Sequence, residues 1–212
     1  MRFDVTGHGE SSGLFEDGTI GRWLEDVVFA LDRLTSGPQI IVGSSMGGWL
    51  GLLAALARPE RVAGFLGLAA APDFVEDLVF GALSDAQKKE LEANGSIVID
   101  SDEEGFPPLT LKAGFVAEAR RHLLLRAPIP VFCPVRLIQG QKDDSIPWLR
   151  SLLLAERLLS DDVTVLLVKD GGHRLNEPQD LIRMEQAVES LLLQCECLDI
   201  SDKEHHLMGH DQ

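Results

Sequence analysis

Apolar and polar positions along this chain fall into blocks whose lengths separate strands from helices. Gln39-Ile40-Ile41-Val42 is an apolar run of strand length. Behind it, Trp49 to Ala57 is a longer apolar run that reads as a buried helix cut off by Pro59. Phe65 to Ala70, Pro134 to Gly140 and Val163 to Val168 read as three more core strands, and Arg2-Phe3-Asp4 as one at the start. Between strands, Ile20 to Leu34 carries Trp23, Val27, Leu31 and Leu34 at helical spacing, with Thr19 placed to cap it. Ser151 to Leu159 and Pro178 to Leu193 fit the last two helices, the second with its proline in the first turn. Strands alternating with helices predict an α/β fold, a mostly parallel sheet with helices on both faces.

One segment breaks that rhythm. After the strand ending near Ala70, the next core strand does not begin until Pro134-Val135, too far for an ordinary crossover. Within the gap, Ser84 to Gln87 opens a helix that Asn94-Gly95 closes, Ser101 to Pro108 is a polar, proline-bearing loop, and Leu109 to Leu125 returns to helical periodicity. The pattern predicts a core of residues 1–72 and 128–197, a small, mostly helical cap over residues 73–127, and a polar tail of residues 198–212 with no assigned structure. The plainer alternative for the insertion is a pair of surface helices that touch no substrate.

Chemistry concentrates at Gly43-Ser44-Ser45-Met46-Gly47, between the first apolar strand and the apolar helix. A strand must become a helix within a few residues there, and Gly43 and Gly47, lacking Cβ atoms, let the two elements approach with Ser45 at the tip. This G-x-S-x-G context nominates Ser45 as nucleophile and the N–H of Met46 as an oxyanion donor. A serine hydroxyl is a weak nucleophile, so a base and an orienting acid are required. Asp143 and its neighbour Asp144 follow the Pro134–Gly140 strand, and His173 follows the Val163–Val168 strand, giving the chain order Ser, Asp, His. Asp143 is preferred because it lies three residues after Gly140, with Asp144 as the alternative. Of the other histidines, His8 lies in a loop suited to a structural or substrate-gorge role, and His122 in a helical stretch suited to packing or surface. His205, His206 and His210 fall in the tail, where they and Cys195-Glu196-Cys197 lack a zinc spacing. No metal and no cofactor are expected.

An ordered set of segments now carries a resemblance: Arg2-Phe3-Asp4, Gly7-His8-Gly9-Glu10-Ser11-Ser12-Gly13, Val42 to Leu50, Ala57-Arg58-Pro59-Glu60, Cys133 to Leu137, Lys142 to Trp148 and His173-Arg174. The chain resembles the α/β-hydrolase group that includes mitochondrial palmitoyl-protein thioesterase, also called mycophenolic acid acyl-glucuronide esterase, and its bacterial relatives. The resemblance implies Ser45 as nucleophile, Asp143 as acid and His173 as base. It implies hydrolysis of acyl thioesters, such as S-palmitoyl cysteine on proteins, and of small-molecule acyl esters such as acyl glucuronides. Mitochondrial placement is implied in the same way; the alternative is cytoplasmic. The family also carries strands before its Arg-Phe-Asp segment, where this sequence has Met1, so an amino-terminally truncated fold is expected. The second oxyanion donor normally comes from that early region, and one donor is worth on the order of 3 kcal/mol. Phe74, Leu78, Phe80 and Phe115 in the insertion are candidates to line an acyl channel or simply to pack.

Composition narrows the alternatives. The 212 residues suit one domain, and 19 basic against 34 acidic residues give a formal charge of −15, which disfavours a nucleic-acid partner. Cys133, Cys195 and Cys197 form no disulfide framework, and no apolar run reaches the ~20 residues of a membrane span. Two rivals remain: a non-enzymatic binding protein that keeps the elbow without a working oxyanion hole, and another serine hydrolase on the same fold, such as a lactonase or peptidase. Dehalogenase chemistry is disfavoured because it needs a carboxylate at the elbow. Oligomeric state is not legible.

Overall fold

The computed structural model describes residues 1–99 and 108–208, with side chains as far as Cys195. Six strands form in these residues: β1 (Gln39–Ser44), β2 (Val62–Leu68), β3 (Ser96–Ile99), β4 (Leu109–Lys112), β5 (Val135–Gly140) and β6 (Val163–Val168). Four of them make a parallel sheet in the order β1-β2-β5-β6, whereas β3 and β4 pair antiparallel apart from it. The helices are α1 (Ile20–Phe29), α2 (Met46–Ala57), α3 (Asp85–Asn94), α4 (Ala113–Ala119), α5 (Leu149–Arg157) and α6 (Pro178–Met208).

Alternation along the strands divides the sheet's two faces. Phe65 and Leu137 point to one face and bury against Leu52 of α2 and Leu154 of α5. Their neighbours Leu66 and Ile138 point to the other face, beneath Leu191 of α6. Helices therefore cover both faces of a parallel sheet, as the apolar runs of β2 and β5 require. A further apolar cluster joins α1 and α2 to the insertion through Ile20, Trp23, Trp49, Leu53, Leu111 and Val116.

Local signals set several boundaries. Thr19 caps α1 by accepting from the N–H of Arg22, and Ser84 and Gln87 form a reciprocal capping box on α3, which ends at Gly95 with φ 75°. In four places the structure departs from expectation. Arg2-Phe3-Asp4 forms no strand; Asp4 bonds locally instead, its carbonyl accepting from the Ser11 hydroxyl at 2.6 Å. The α1 helix widens into a π turn over Ala30–Leu34, which changes the residue spacing and leaves Leu34 exposed while Leu31 stays buried. Leu109 to Lys112 is strand rather than helix, laid against Ile97-Val98-Ile99 with Ile97 and Leu111 buried. Finally, α6 runs on to Met208 instead of stopping at Leu193, since neither glycine nor proline interrupts it before Gly209. Residues 101–107 of the expected polar loop and residues 209–212 of the tail lie outside the described residues.

The insertion is pinned where it leaves and rejoins the core. Asp73, fully buried with φ 61°, accepts from the N–H groups of Leu124 (2.7 Å) and Leu125 (2.9 Å), so one side chain holds both ends together. Asp77 adds ion pairs to Arg126 and to Arg150 (3.0 Å), and Arg150 also donates to the carbonyl of Pro72 at 2.7 Å. Burial pushes the Asp73 carboxyl upward, against the pull of the two N–H donors. Asp73→Ala leaves those N–H groups without their acceptor. It is expected to cost about 1–3 kcal/mol per buried N–H in urea denaturation, and to speed proteolysis within the insertion.

Candidate active site

Ser45 is the residue between the end of β1 and the start of α2, and its backbone sits at φ 51°, ψ −120°, a strained conformation for a residue with a Cβ. Backbone hydrogen bonds hold it there. Its N–H donates to the carbonyl of Leu68 in β2 (2.9 Å), and its carbonyl accepts from Gly48 (2.9 Å) and Ala71 (3.1 Å). A Cβ on Gly43 would stand 2.3 Å from the Gly47 carbonyl oxygen, and one on Gly48 would stand 2.6 Å from the Cβ of Ala70. Gly47 itself faces open space, so the close approach expected of it is made instead by its neighbour Gly48. The N–H of Met46 is the first of α2, where the helical ladder has no acceptor and the helix dipole favours negative charge.

Asp143 and His173 arrive from the ends of β5 and β6, which lie side by side in the sheet. Gln141 donates to Val168 (2.8 Å) and Lys142 to Gly171 (2.9 Å), tying the loop after β5 to the loop after β6. A Cβ on Gly140 would fall 2.2 Å from the Gly171 carbonyl oxygen, so only glycine lets those backbones meet. The result is a continuous chain of side chains. The Ser45 hydroxyl donates to His173 Nε2 (3.1 Å), and His173 Nδ1–H donates to Asp143 Oδ2 (2.8 Å), the tautomer that an acceptor-only carboxylate dictates. Ser45 and His173 are half-buried and Asp143 is buried, whereas Asp144 is exposed to solvent.

Burial alone would raise the Asp143 carboxyl, but its hydrogen bonds outweigh that. The His173 imidazole, the N–H of Ile146 (2.8 Å) and the amide of Gln139 (2.8 Å) hold it below the ordinary carboxylate range. The N–H of Ser145 at 2.9 Å adds a further donor. Gln139 was not singled out from sequence. It is wholly buried, and its Oε1 accepts from the Ser151 hydroxyl of α5 at 3.0 Å. A glutamine at the end of a mostly apolar strand, four residues before an acid, was the signal available.

The other candidates lie apart from this chain of contacts. The His8 ring packs edge-on against Phe15 (5.2 Å) and Trp23 (5.1 Å), and His122 pairs with Glu118 at 2.6 Å in the insertion. Phe74 packs on Trp49 and Phe115 on Trp23, while Phe80 lies beneath Arg120. Burial pushes the Cys133 thiol up to about 11, so it is no nucleophile at neutral pH. The side chains of Cys197, His205, His206 and His210 lie outside the described residues. Two open grooves, one along α1 beside Phe29 and one between Gly18 and Lys112, contain none of Ser45, Asp143 or His173.

Comparison with known proteins gives a consistent answer. Residues 1–98 match the family model described as alpha/beta hydrolase fold. A Homo sapiens protein named "Palmitoyl-protein thioesterase ABHD10, mitochondrial" is 44% identical over 194 residues, 91% of this chain and 62% of its own length. The chain spans 62–64% of the length of the curated relatives it matches. Among solved structures, alpha/beta hydrolase domain-containing protein 10 from mouse superposes with a TM-score of 0.84 at 43% identity, over 91% of this chain and 77% of that one. A putative hydrolase from Agrobacterium vitis S4 gives 0.83 at 39%, over 90% and 75%.

Two outcomes are expected from the geometry. Gly43→Ala, driving a methyl into the Gly47 carbonyl, is expected to lower stability by about 1–3 kcal/mol in urea denaturation. Because the folded chain depresses the Asp143 carboxyl, it binds fewer protons there than the unfolded chain does. That contribution is complete above the ordinary value of 3.8 and is lost as pH falls through the folded value. The stability difference between the wild-type chain and Asp143→Asn is therefore expected to shrink as urea midpoints are measured from neutral pH down below about pH 4.

Proposed function

This chain belongs to the α/β-hydrolase family, and we propose that it is a serine hydrolase cleaving acyl thioesters and carboxylic esters through Ser45, His173 and Asp143. The observation that carries this reading is the unbroken contact from Asp143 through His173 to the Ser45 hydroxyl, at a strained turn beneath a helix N-terminus. His173 takes the proton as Ser45 Oγ bonds to the acyl carbon, and the carbonyl oxygen becomes an anion facing the N–H of Met46. As the tetrahedral adduct collapses, the bond to the leaving sulfur or oxygen breaks and His173 protonates the departing thiol or alcohol. Water then attacks the acyl-serine with His173 again as base, releasing the carboxylic acid and restoring the serine. Asp143 stays ionised throughout and holds the imidazole in its tautomer.

Substrate class follows the relatives. Their name as palmitoyl-protein thioesterases supports S-acylated cysteine on proteins as the substrate of this chain, and their mitochondrial designation supports that compartment. Acyl glucuronides belong to the same proposal, because they too carry an activated acyl group with a good leaving group. No described helix is long and apolar enough to cross a membrane. We propose residues 73–127 as the cap that decides which acyl chains reach Ser45.

Covalent labelling with a fluorophosphonate, alongside Ser45→Ala, tests the reading. The wild-type chain is expected to label and to hydrolyse an S-palmitoyl peptide, with Ser45→Ala unlabelled and its turnover down by roughly a thousandfold or more. A folded wild-type chain that never labels would overturn the hydrolase proposal in favour of a binding role.

A further inference from the structure

We infer that Gln139 is a positioning residue for the acid–base pair: its side-chain amide, oriented by Ser151, fixes which oxygen of Asp143 faces His173 and how strongly that oxygen draws on the imidazole. The inference rests on the triad reading above and deepens it. Gln139 lies in β5, one residue before the strand's last glycine, and has no exposed surface. A polar side chain so placed must find its partners inside the protein. It does so with directional contacts. Nε2 donates to Asp143 Oδ2 at 2.8 Å and lies 3.3 Å from the carbonyl of Ile146, while Oε1 accepts from the Ser151 hydroxyl at 3.0 Å. Since a carboxylate only accepts, the amide nitrogen must face Asp143, and the serine, itself buried, holds the amide oxygen on the far side.

This fills the carboxylate. Oδ1 receives the N–H groups of Ser145 and Ile146, and Oδ2 receives Gln139 and His173. Without the Gln139 donor, Oδ2 would direct its whole basicity at His173, stabilise the imidazolium and raise the pH at which the ring becomes neutral enough to accept the Ser45 proton. None of the other ionisable groups on these elements shares a hydrogen bond with Gln139 among the described residues. Asp144 is exposed, Lys142 pairs with Asp170 at 2.7 Å, Arg150 of α5 turns to Asp77, and Arg174 follows the base along its loop.

The test compares wild-type, Gln139→Leu, Gln139→Glu and Ser151→Ala in two measurements. The first is the pH dependence of fluorophosphonate labelling; the second is titration of the His173 imidazole by NMR, which needs no turnover. In Gln139→Leu the acid limb of labelling and the imidazole titration are both expected to move up by about half a pH unit to one unit. Ser151→Ala should move them the same way by less. Gln139→Glu should match wild-type while its new carboxyl is protonated and donating, and depart from it as that carboxyl ionises beside Asp143. An unmoved limb and an unmoved titration in a folded Gln139→Leu would overturn the inference; should that variant not fold, the same result in Ser151→Ala would do so. A shifted titration in a chain that never labels would instead reject the hydrolase reading while leaving the Gln139–Asp143–His173 coupling in place.

Discussion

The backbone of Ser45, held at a positive φ that a serine does not adopt freely, is the constraint on which the rest of the site depends. Such a conformation costs on the order of 1–3 kcal/mol and persists only when its surroundings over-determine it. Here they do. Leu68, Gly48 and Ala71 hold both polar groups of the residue, and β2 on one side and the wholly apolar α2 on the other are too deeply packed to follow a relaxation of the turn. The same fixity aims the Ser45 hydroxyl at His173 and leaves the first N–H of α2, next along the chain, without a helical acceptor. Strain in the turn and order in the site are therefore one arrangement.

Two buried aspartates show how surroundings, rather than burial, decide what a carboxyl does. Asp143 and Asp73 are both removed from solvent, yet their affinities for a proton move in opposite directions. Around Asp143 the desolvation cost is exceeded by an imidazole, two backbone N–H groups and a side-chain amide. Asp73 has two backbone N–H groups and an arginine no nearer than 3.7 Å, which do not offset the same cost. The first environment favours the anion beside a histidine. The second serves to tie two chain segments together, a task that tolerates a proton.

What the sequence made legible was what is local or ordered along the chain. The elbow could be read because a strand, a serine between glycines and an apolar helix are contiguous. Asp143 and His173 could be read because each lies within five residues of the end of a strand-like run, and a parallel sheet gathers such ends on one side. The β3–β4 ribbon was hidden because pairing across the segment between them is a non-local choice, and Leu109-Thr110-Leu111-Lys112 suits either structure. Leu34 was misplaced because one π turn changes the spacing on which a helical face is counted. Gln139 escaped because its identity as a residue of β5 says nothing of the carboxylate that the following loop folds back onto it.

The α2 helix joins the two parts of the molecule, and this limits how independently they can vary. Leu52, Ala54 and Ala55 pack into the cluster over the sheet, while Trp49, Leu50 and Leu53 pack into the cluster shared with the insertion. Trp49 ties the helix directly to the insertion. It lies in the first turn after Ser45, its indole N–H donates to the carbonyl of His122 at 3.0 Å, and its ring meets Phe74 edge-on. Substitutions in the insertion that leave the Trp49 contacts intact can vary that segment without disturbing the elbow. Those that displace the indole act on the first turn of the helix that begins at Met46, and so reach the turn that holds Ser45.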